Sequence, residues 1–460
     1  MTTLLATLEA ILGPGGLLTG EAAAERAFSP WTRAATPLAI ARPRSAPEVA
    51  QVLRTVAAAG GSIVPWGGRT GLVEGTAAEG AVALSLDRMA AVEDIDPVGQ
   101  TMTVQAGCVL ATACEAAAAQ GLFLPLDLGS RGSATIGGTI STNAGGNRVL
   151  RYGMMRDMVL GLEVVLADGT IVTGLNRLIK NNAGYDLKQL FIGSEGTLGI
   201  VTRAVLRLRP TPPAQGTALL AVDTFEALPR LLRALEAGLP GLSAFEVMWP
   251  EFYRLVTTEP ARGRPILPDG HGYYVLVETL GPEDGGALLE ARLEAALADG
   301  LVTDAVIAKS QAERDRMWAL RDDVAQVARN GPVATFDVSL PITAMPDYVA
   351  GLRAAVAGRW PGASVVVFGH LGDGNLHVIV GLADDATARP EVEALVYGPL
   401  ATCDGSISAE HGVGLSKRGH LGLSRSPEEL DLMRRLKAAL DPAQLLNPGK
   451  VLPPADGSHG

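Results

Sequence analysis

Several common signals are missing from this chain of 460 residues, and each absence narrows what it can be. Cysteine occurs only at Cys108, Cys114 and Cys403, an odd number with no CxxC pair. That pattern predicts reduced thiols in a cytoplasmic setting rather than a disulfide framework. Positive charge is also short: 38 Lys and Arg against 49 Asp and Glu give a net charge of −11 and a pI near 5.2. Such a surface repels a nucleic-acid backbone, so nucleic acid is not expected as a partner. An anionic substrate would need a local cationic site. No run of 18 apolar residues is free of charge, so no membrane span is expected. Peripheral attachment at the inner face of a membrane stays open. The opening MTTLLATLEAILGPGG lacks a basic leader and carries Glu9 within its apolar run. It reads as an amphipathic helix stopped at Gly13-Pro14-Gly15. Neither GxGxxG nor GxxxxGK[ST] occurs, which removes Rossmann and P-loop readings. There is no internal repeat and no low-complexity tract. What remains is a compact globular protein, 47% apolar and 19% charged, long enough for two or three domains.

Histidine is scarce too, yet three of the six fall within residues 368–414. FGHLGDGNLHVIV (368–380) carries His370 and His377, and SAEHGVG (408–414) carries Glu410 and His411. VVVF (365–368) and VIV (378–380) read as strands, with the Asp-Gly chemistry of a reversal between them. Paired as a hairpin, they would set His370 opposite His377 with Cβ atoms roughly 5 Å apart, close enough for one ion. With Glu410 this makes a two-His, one-carboxylate site with open positions, as catalytic metals have. Zn²⁺ or Mn²⁺ suits that set, and His411 is free to act as a base. Two histidines capping an ordinary turn are the competing reading; the added Glu-His pair and its flanking glycines weigh against it.

Two glycine-rich runs stand earlier in the chain. SIVPWGGRTGLVEG (62–75) reads as a strand entering a loop in which Gly67, Gly68 and Gly71, with Arg69 and Thr70, can form a phosphate nest. PLDLGSRGSATIGGTISTNAGG (125–146) is too glycine-dense for regular structure. Its Ser, Thr and Asn side chains suit backbone lying against a large polar cofactor. Two nests suggest a dinucleotide. Around them, 45–60 and 109–121 read as helices, 81–108 as strands joined by a turn, and 161–174 as a hairpin tipped by Asp168-Gly169. Pro210, Pro212 and Pro213 mark a boundary. Beyond it, strands at 272–281, 301–308 and 334–341 interleave with helices at 227–238 and 286–300, predicting an antiparallel sheet covered by helices. A helix capped by Ser426 follows, and NPGKVL (447–452) closes the fold.

Taken together, VPWGGRTGL, ATIGGTISTNAGG, LFIGSEGTLGIVT, FGHLGDGNLH, ISAEHGVG and LLNPGKVL resemble the FAD-dependent D-2-hydroxyacid dehydrogenases. These are the D-lactate, D-2-hydroxyglutarate and glycolate oxidising enzymes of the vanillyl-alcohol oxidase/p-cresol methylhydroxylase (PCMH) flavoprotein superfamily. The resemblance implies an α+β fold with a two-part PCMH-type FAD-binding domain at 1–212. A substrate and metal domain would follow at 213–425, and a segment at 426–460 would return to the flavin domain. FAD would lie on Pro65, Gly67, Gly68, Arg69, Thr70 and Gly71, and on Ser133, Gly137, Gly138, Thr139, Asn143, Gly145 and Gly146. Glu195, Ile200, Val201 and Asn447 would also meet it. Attachment should be non-covalent, because neither glycine run holds a histidine or cysteine.

The implied chemistry is oxidation of a D-2-hydroxy acid. Metal on His370, His377 and Glu410 would acidify the hydroxyl, His411 would remove its proton, and hydride would pass to flavin. Arg321, in WALRDD, is the matching position for a clamp on the substrate carboxylate, although a helix-surface arginine would read the same way. Three positions depart from the hydroxyglutarate pattern: Ala325 stands for a threonine, Thr335 for a lysine and Ile379 for an asparagine. Each loses a polar or cationic contact, which points to a monocarboxylic substrate such as D-lactate. Hydroxyglutarate and glycolate are the alternatives within the family. The electron acceptor would be a quinone, an electron-transfer flavoprotein or a cytochrome, and the assembly a homodimer. A metal-dependent hydrolase without flavin, or a flavin electron carrier, would use the same residues differently.

Overall fold

The computed structural model describes residues 2–27, 35–281, 285–329, 331–382 and 386–453. They form two units: Met1–Gly146 with Gly153–Thr211 and Glu410–Gly460, and Asn147–Tyr152 with Pro212–Ala409.

The first unit holds a four-stranded sheet in the order Leu17–Leu18, Ala39–Ala41, Val82–Ser85, Ile63–Trp66. The helix Ala46–Ala58 starts where expected, with the Ser45 hydroxyl accepting from the Glu48 N–H at 3.3 Å. Its Val49, Val52, Leu53 and Val56 are all buried, the spacing of one helical face. A second sheet of five strands runs Val92–Asp96, Thr101–Gln105, Ile200–Arg207, Val159–Val165, Ile171–Gly174. The Asp168-Gly169 hairpin tip is as expected, with Asp168 Oδ1 accepting from Thr170 N–H at 2.8 Å. The second glycine run differs from the expectation of irregular chain. Ile136–Ser141 is a short helix, capped by Thr135, whose hydroxyl accepts from Gly138 N–H. Burial of Ile136 and Ile140 offsets the low helix propensity of Gly137 and Gly138.

The second unit is built on one seven-stranded antiparallel sheet, covered by helices as the pattern predicted. Its order is Asp304–Ile307, Ala214–Val222, Tyr273–Gly281, Leu242–Met248, Val365–His370, Asn375–Gly381, Val333–Ser339. Helices Pro250–Thr257 and Gln311–Asp322 cover part of one face. There Phe252, Val256, Met317 and Leu320 pack on Leu219, Met248, Leu276, Val366, Phe368 and Ile379. The histidine hairpin forms, but in a different register from the one expected. His377 pairs with Phe368, not with His370, and His370 pairs instead with Glu246 on the next strand. The cause is the turn: Leu371–Asp373 coils as a 3-10 segment before Gly374, so the reversal is wider than a two-residue turn. The two imidazoles still come together, with ring centroids 5.3 Å apart.

Candidate functional site

Strand alternation puts a row of polar side chains on the helix-covered face of the second unit's sheet. Phe368 and His370 are two residues apart on one strand, and His377 and Ile379 on the next, so all four share the face of the apolar cluster. Two register pairs carry the polar groups, Glu246 with His370 and, one step along the strands, His377 with Asp337. Glu246, 1% exposed, anchors one end of this row. Its Oε1 lies 2.6 Å from His370 Nδ1, and its Oε2 accepts from Arg321 Nε at 2.8 Å. Arg321 Nη2 stands 3.1 Å from His370 Nε2, and the guanidinium lies over the Phe368 ring at 4.9 Å. A carboxylate at Nδ1 and a guanidinium at Nε2 fix the tautomer: the proton sits on Nδ1. Burial acts to raise the Glu246 pKa, but His370 and Arg321 beside it outweigh burial and hold it down to about 2.

Asp337 organises the other end of the row. It is buried, and its Oδ1 accepts from Asn375 Nδ2 at 2.7 Å and lies 3.8 Å from His377 Nδ1. Its Oδ2 accepts from the Ala409 N–H at 3.1 Å, which fixes the residue directly before Glu410. Asn375 gives both amide hydrogens, to Asp337 and to the Val338 carbonyl, leaving its buried Oδ1 without a partner. The three positions expected to bear on substrate differ among themselves. Ile379 is buried in the apolar cluster, whereas Ala325 and Thr335 are exposed.

In the first unit the two glycine runs lie against each other. A Cβ on Gly68 would run into the Ser133 carbonyl, and one on Gly67 into the Thr135 hydroxyl, so only glycine permits this approach. Gly196 is equally tight against the Pro65 ring. Four of the expected cofactor residues have left-handed backbone without being glycine: Arg69 (φ 55°), Asn143 (φ 48°), Glu195 (φ 51°) and Asn447 (φ 44°). Such strain gathers where a structure is built for a ligand. Asn447, 2% exposed, donates from Nδ2 to the carbonyls of Gly75 (3.2 Å) and Glu195 (2.8 Å). Its buried Oδ1 is left without a partner, which fits an N–H or O–H of a bound flavin. Thr139 is buried on its own helix, and Ile200 and Val201 are buried at the start of their strand. Asn143 is committed internally, its Oδ1 accepting from Arg156 N–H.

Glu195 was expected along the cofactor, yet its carboxylate binds the chain itself. Oε1 accepts from Val413 N–H at 2.7 Å and Oε2 from Gly414 N–H at 2.9 Å. Burial pushes its pKa up, against the pull of those two amides and of Lys417. Glu410 and His411 precede this anchored loop, with His411 Nε2 3.6 Å from Glu410 Oε1. The sequence reading missed Glu246 and Asp337. Both are lone acids in otherwise apolar strands, AFEVM and TFDVS, and that pattern is the signal that could have found them.

The domain family described as "FAD linked oxidases, C-terminal domain" matches residues 211–451, and that described as "FAD binding domain" matches 37–174. A protein of Xanthomonas citri pv. viticola named D-2-hydroxyglutarate dehydrogenase is 44% identical over 433 residues, 92% of this chain and 91% of its own. The mitochondrial D-2-hydroxyglutarate dehydrogenase of Bos taurus is 42% identical over 458 residues, 98% of this chain and 83% of its own. Among solved structures, p-cresol methylhydroxylase with substrate bound superposes with a TM-score of 0.79. That match is 17% identical, covers 98% of this chain and 97% of the other, and shows a common fold.

Proposed function

The chain belongs to the FAD-linked oxidases, as an oxidoreductase of the D-2-hydroxyacid dehydrogenase family, and from that premise we propose that it oxidises D-2-hydroxyglutarate to the 2-oxo acid. The carrying observation is likeness at 44% identity along nearly the whole chain to a hydroxyglutarate enzyme. When bound, FAD supplies the hydride acceptor and a divalent metal supplies Lewis acidity toward the hydroxyl and carboxylate oxygens.

In this reading the chain's own residues orient the substrate and move its proton. Arg321 is held by Glu246 through Nε, which leaves Nη1 to bind the substrate carboxylate. His411 takes the hydroxyl proton, and the glycine runs with Asn447 hold the flavin without a covalent bond. Donors of suitable chemistry for the metal are the His377 imidazole and the Glu410 carboxylate, with Asp337 behind His377, 3.8 Å from its Nδ1. His370 completes the expected set only if its Nε2 is released from Arg321. Electrons would leave the flavin for a quinone, an electron-transfer flavoprotein or a cytochrome.

The relatives displace D-lactate as the first choice, but a monocarboxylic D-2-hydroxy acid remains the second reading. The observation favouring it is Ile379, buried among Val366, Phe368 and Leu320 where the hydroxyglutarate pattern has an asparagine. The test is anaerobic bleaching of the flavin absorbance by D-2-hydroxyglutarate, D-lactate and glycolate and by the L-enantiomers of the chiral pair. Fastest bleaching by D-2-hydroxyglutarate supports the first reading, and by D-lactate the second. Bleaching by neither would sink both.

A further inference from the structure

The Val413 and Gly414 amides are successive backbone N–H groups aimed at one point, the geometry that elsewhere binds a phosphate or another anion. Here the anion is intramolecular. Glu195 reaches in from the GSEGTLG turn and receives both hydrogens, one on each oxygen, at 2.7 and 2.9 Å. Lys417, 6% exposed, adds a favourable charge to the same carboxylate. The loop is shaped around it. Gly412 has φ +82°, and a Cβ there would stand 2.8 Å from Glu195 Oε1. Leu415 N–H donates to the Val73 carbonyl and Val451 N–H to the Gly414 carbonyl, fixing the loop on its far side. The Glu195 carbonyl meanwhile accepts from Asn447 Nδ2 at 2.8 Å. One residue therefore ties together three stretches: the GSEGTLG turn, the loop that follows Glu410 and His411, and NPGK.

We propose that Glu195 is a positioning residue for His411, setting the loop that carries the base by filling the nest at Val413 and Gly414. The assignment rests on the reading of His411 as the base. Sequence resemblance had given Glu195 to the cofactor, but both of its oxygens are committed to this loop. A Gln at 195 can accept from one amide only, because its nitrogen would face the other N–H donor to donor.

The test compares Glu195→Gln with the unaltered FAD-loaded protein. Hydrogen exchange at the Val413 and Gly414 amides should quicken by about tenfold, the loss of an ordinary hydrogen bond. Flavin reduction by the best substrate of the panel should slow by about 10²-fold, as displacement of a catalytic group does, with FAD content unchanged. The double variant Glu195→Gln/His411→Ala should be no slower than His411→Ala alone, because Glu195 acts through His411. Multiplying losses in the double variant, unchanged exchange, or loss of FAD from Glu195→Gln would each overturn the proposal. Should Glu195→Gln fail to fold, Gly412→Ala displaces the same contact and is expected to give the same exchange and rate changes. If His411→Ala alone leaves reduction at full speed, the base reading fails, while exchange still decides whether Glu195 holds the loop.

Discussion

Glu246 should be the most expensive single charge to remove from the second unit. Replacing it with Gln leaves the volume nearly unchanged but gives one end of the side chain the wrong polarity. The carboxamide oxygen can accept from Arg321 Nε or from His370 Nδ1, not from both, and its nitrogen then faces the remaining donor. The pair is sealed from water, with side-chain exposure of 7% for Arg321 and 1% for Glu246. Breaking a buried pair by changing one partner costs about 3–5 kcal/mol. For a unit of this size that lowers the midpoint of thermal unfolding by roughly 10 °C. Arg321→Met alone should cost a similar amount, because it leaves Glu246 charged and buried. The double variant Glu246→Leu/Arg321→Met is the informative one. It removes both charges and costs His370 the Glu246 acceptor at Nδ1 and the Arg321 donor at Nε2, a loss of about 1–3 kcal/mol. The double variant should therefore be more stable than either single variant. Circular dichroism follows the unfolding, and flavin fluorescence reports the first unit separately. Additive losses, or a Glu246→Gln variant within about 1 kcal/mol of the parent, would refute the reasoning.

Asp337→Asn should lower divalent-metal affinity by about 10–100-fold, as loss of an outer-shell carboxylate does, while FAD stays bound; metal analysis after dialysis checks it. His411→Ala should retain FAD and slow anaerobic flavin reduction by about 10²–10⁴-fold, the usual worth of a general base. Lys450 supplies a pH test. Burial, helped by Arg418, depresses its pKa to about 8, and its Nζ donates to the Ala77 carbonyl. Between pH 8 and 10.5 the unfolded chain binds the proton that the folded one has lost, so stability should rise with pH there, by at most about 3 kcal/mol. Denaturant titrations of Lys450→Met should lack that rise; an identical slope in the variant would reject the assignment.

The layers of the fold were readable where short-range rules dominate. Ser45 and Ser426 start helices because a hydroxyl at that position meets an N–H three residues on, whatever the tertiary setting. Asp168-Gly169 closes a hairpin for an equally local reason. The histidine register was not readable, because it depends on how many residues the turn consumes. Leu371–Asp373 take a 3-10 coil that Asp-Gly chemistry alone does not announce. Of the site, the histidines, Glu410 and the glycine runs stood out by composition. Glu246 and Asp337 did not, since their importance comes from partners more than 35 positions away in the chain. The helix Ile136–Ser141 was hidden by its own glycines, which propensity counts against it and which burial of two isoleucines overrides.

The division of the chain also sets an order of events during synthesis. The first unit includes Glu410–Gly460, so the ribosome must finish the second unit before the first can close. Until then Ile63 lacks its backbone bonds to Leu445 and Asn447, Thr197 lacks the Lys437 ammonium, and Glu195 has no loop to hold. Asp441, fully buried, pairs with Lys437 four residues before it and accepts from the Leu445 and Leu446 N–H groups that follow. A nascent chain thus carries the complete seven-stranded sheet of the second unit before the first unit is closed. A chain cut before Leu445 should therefore bind FAD poorly, however well its second unit folds.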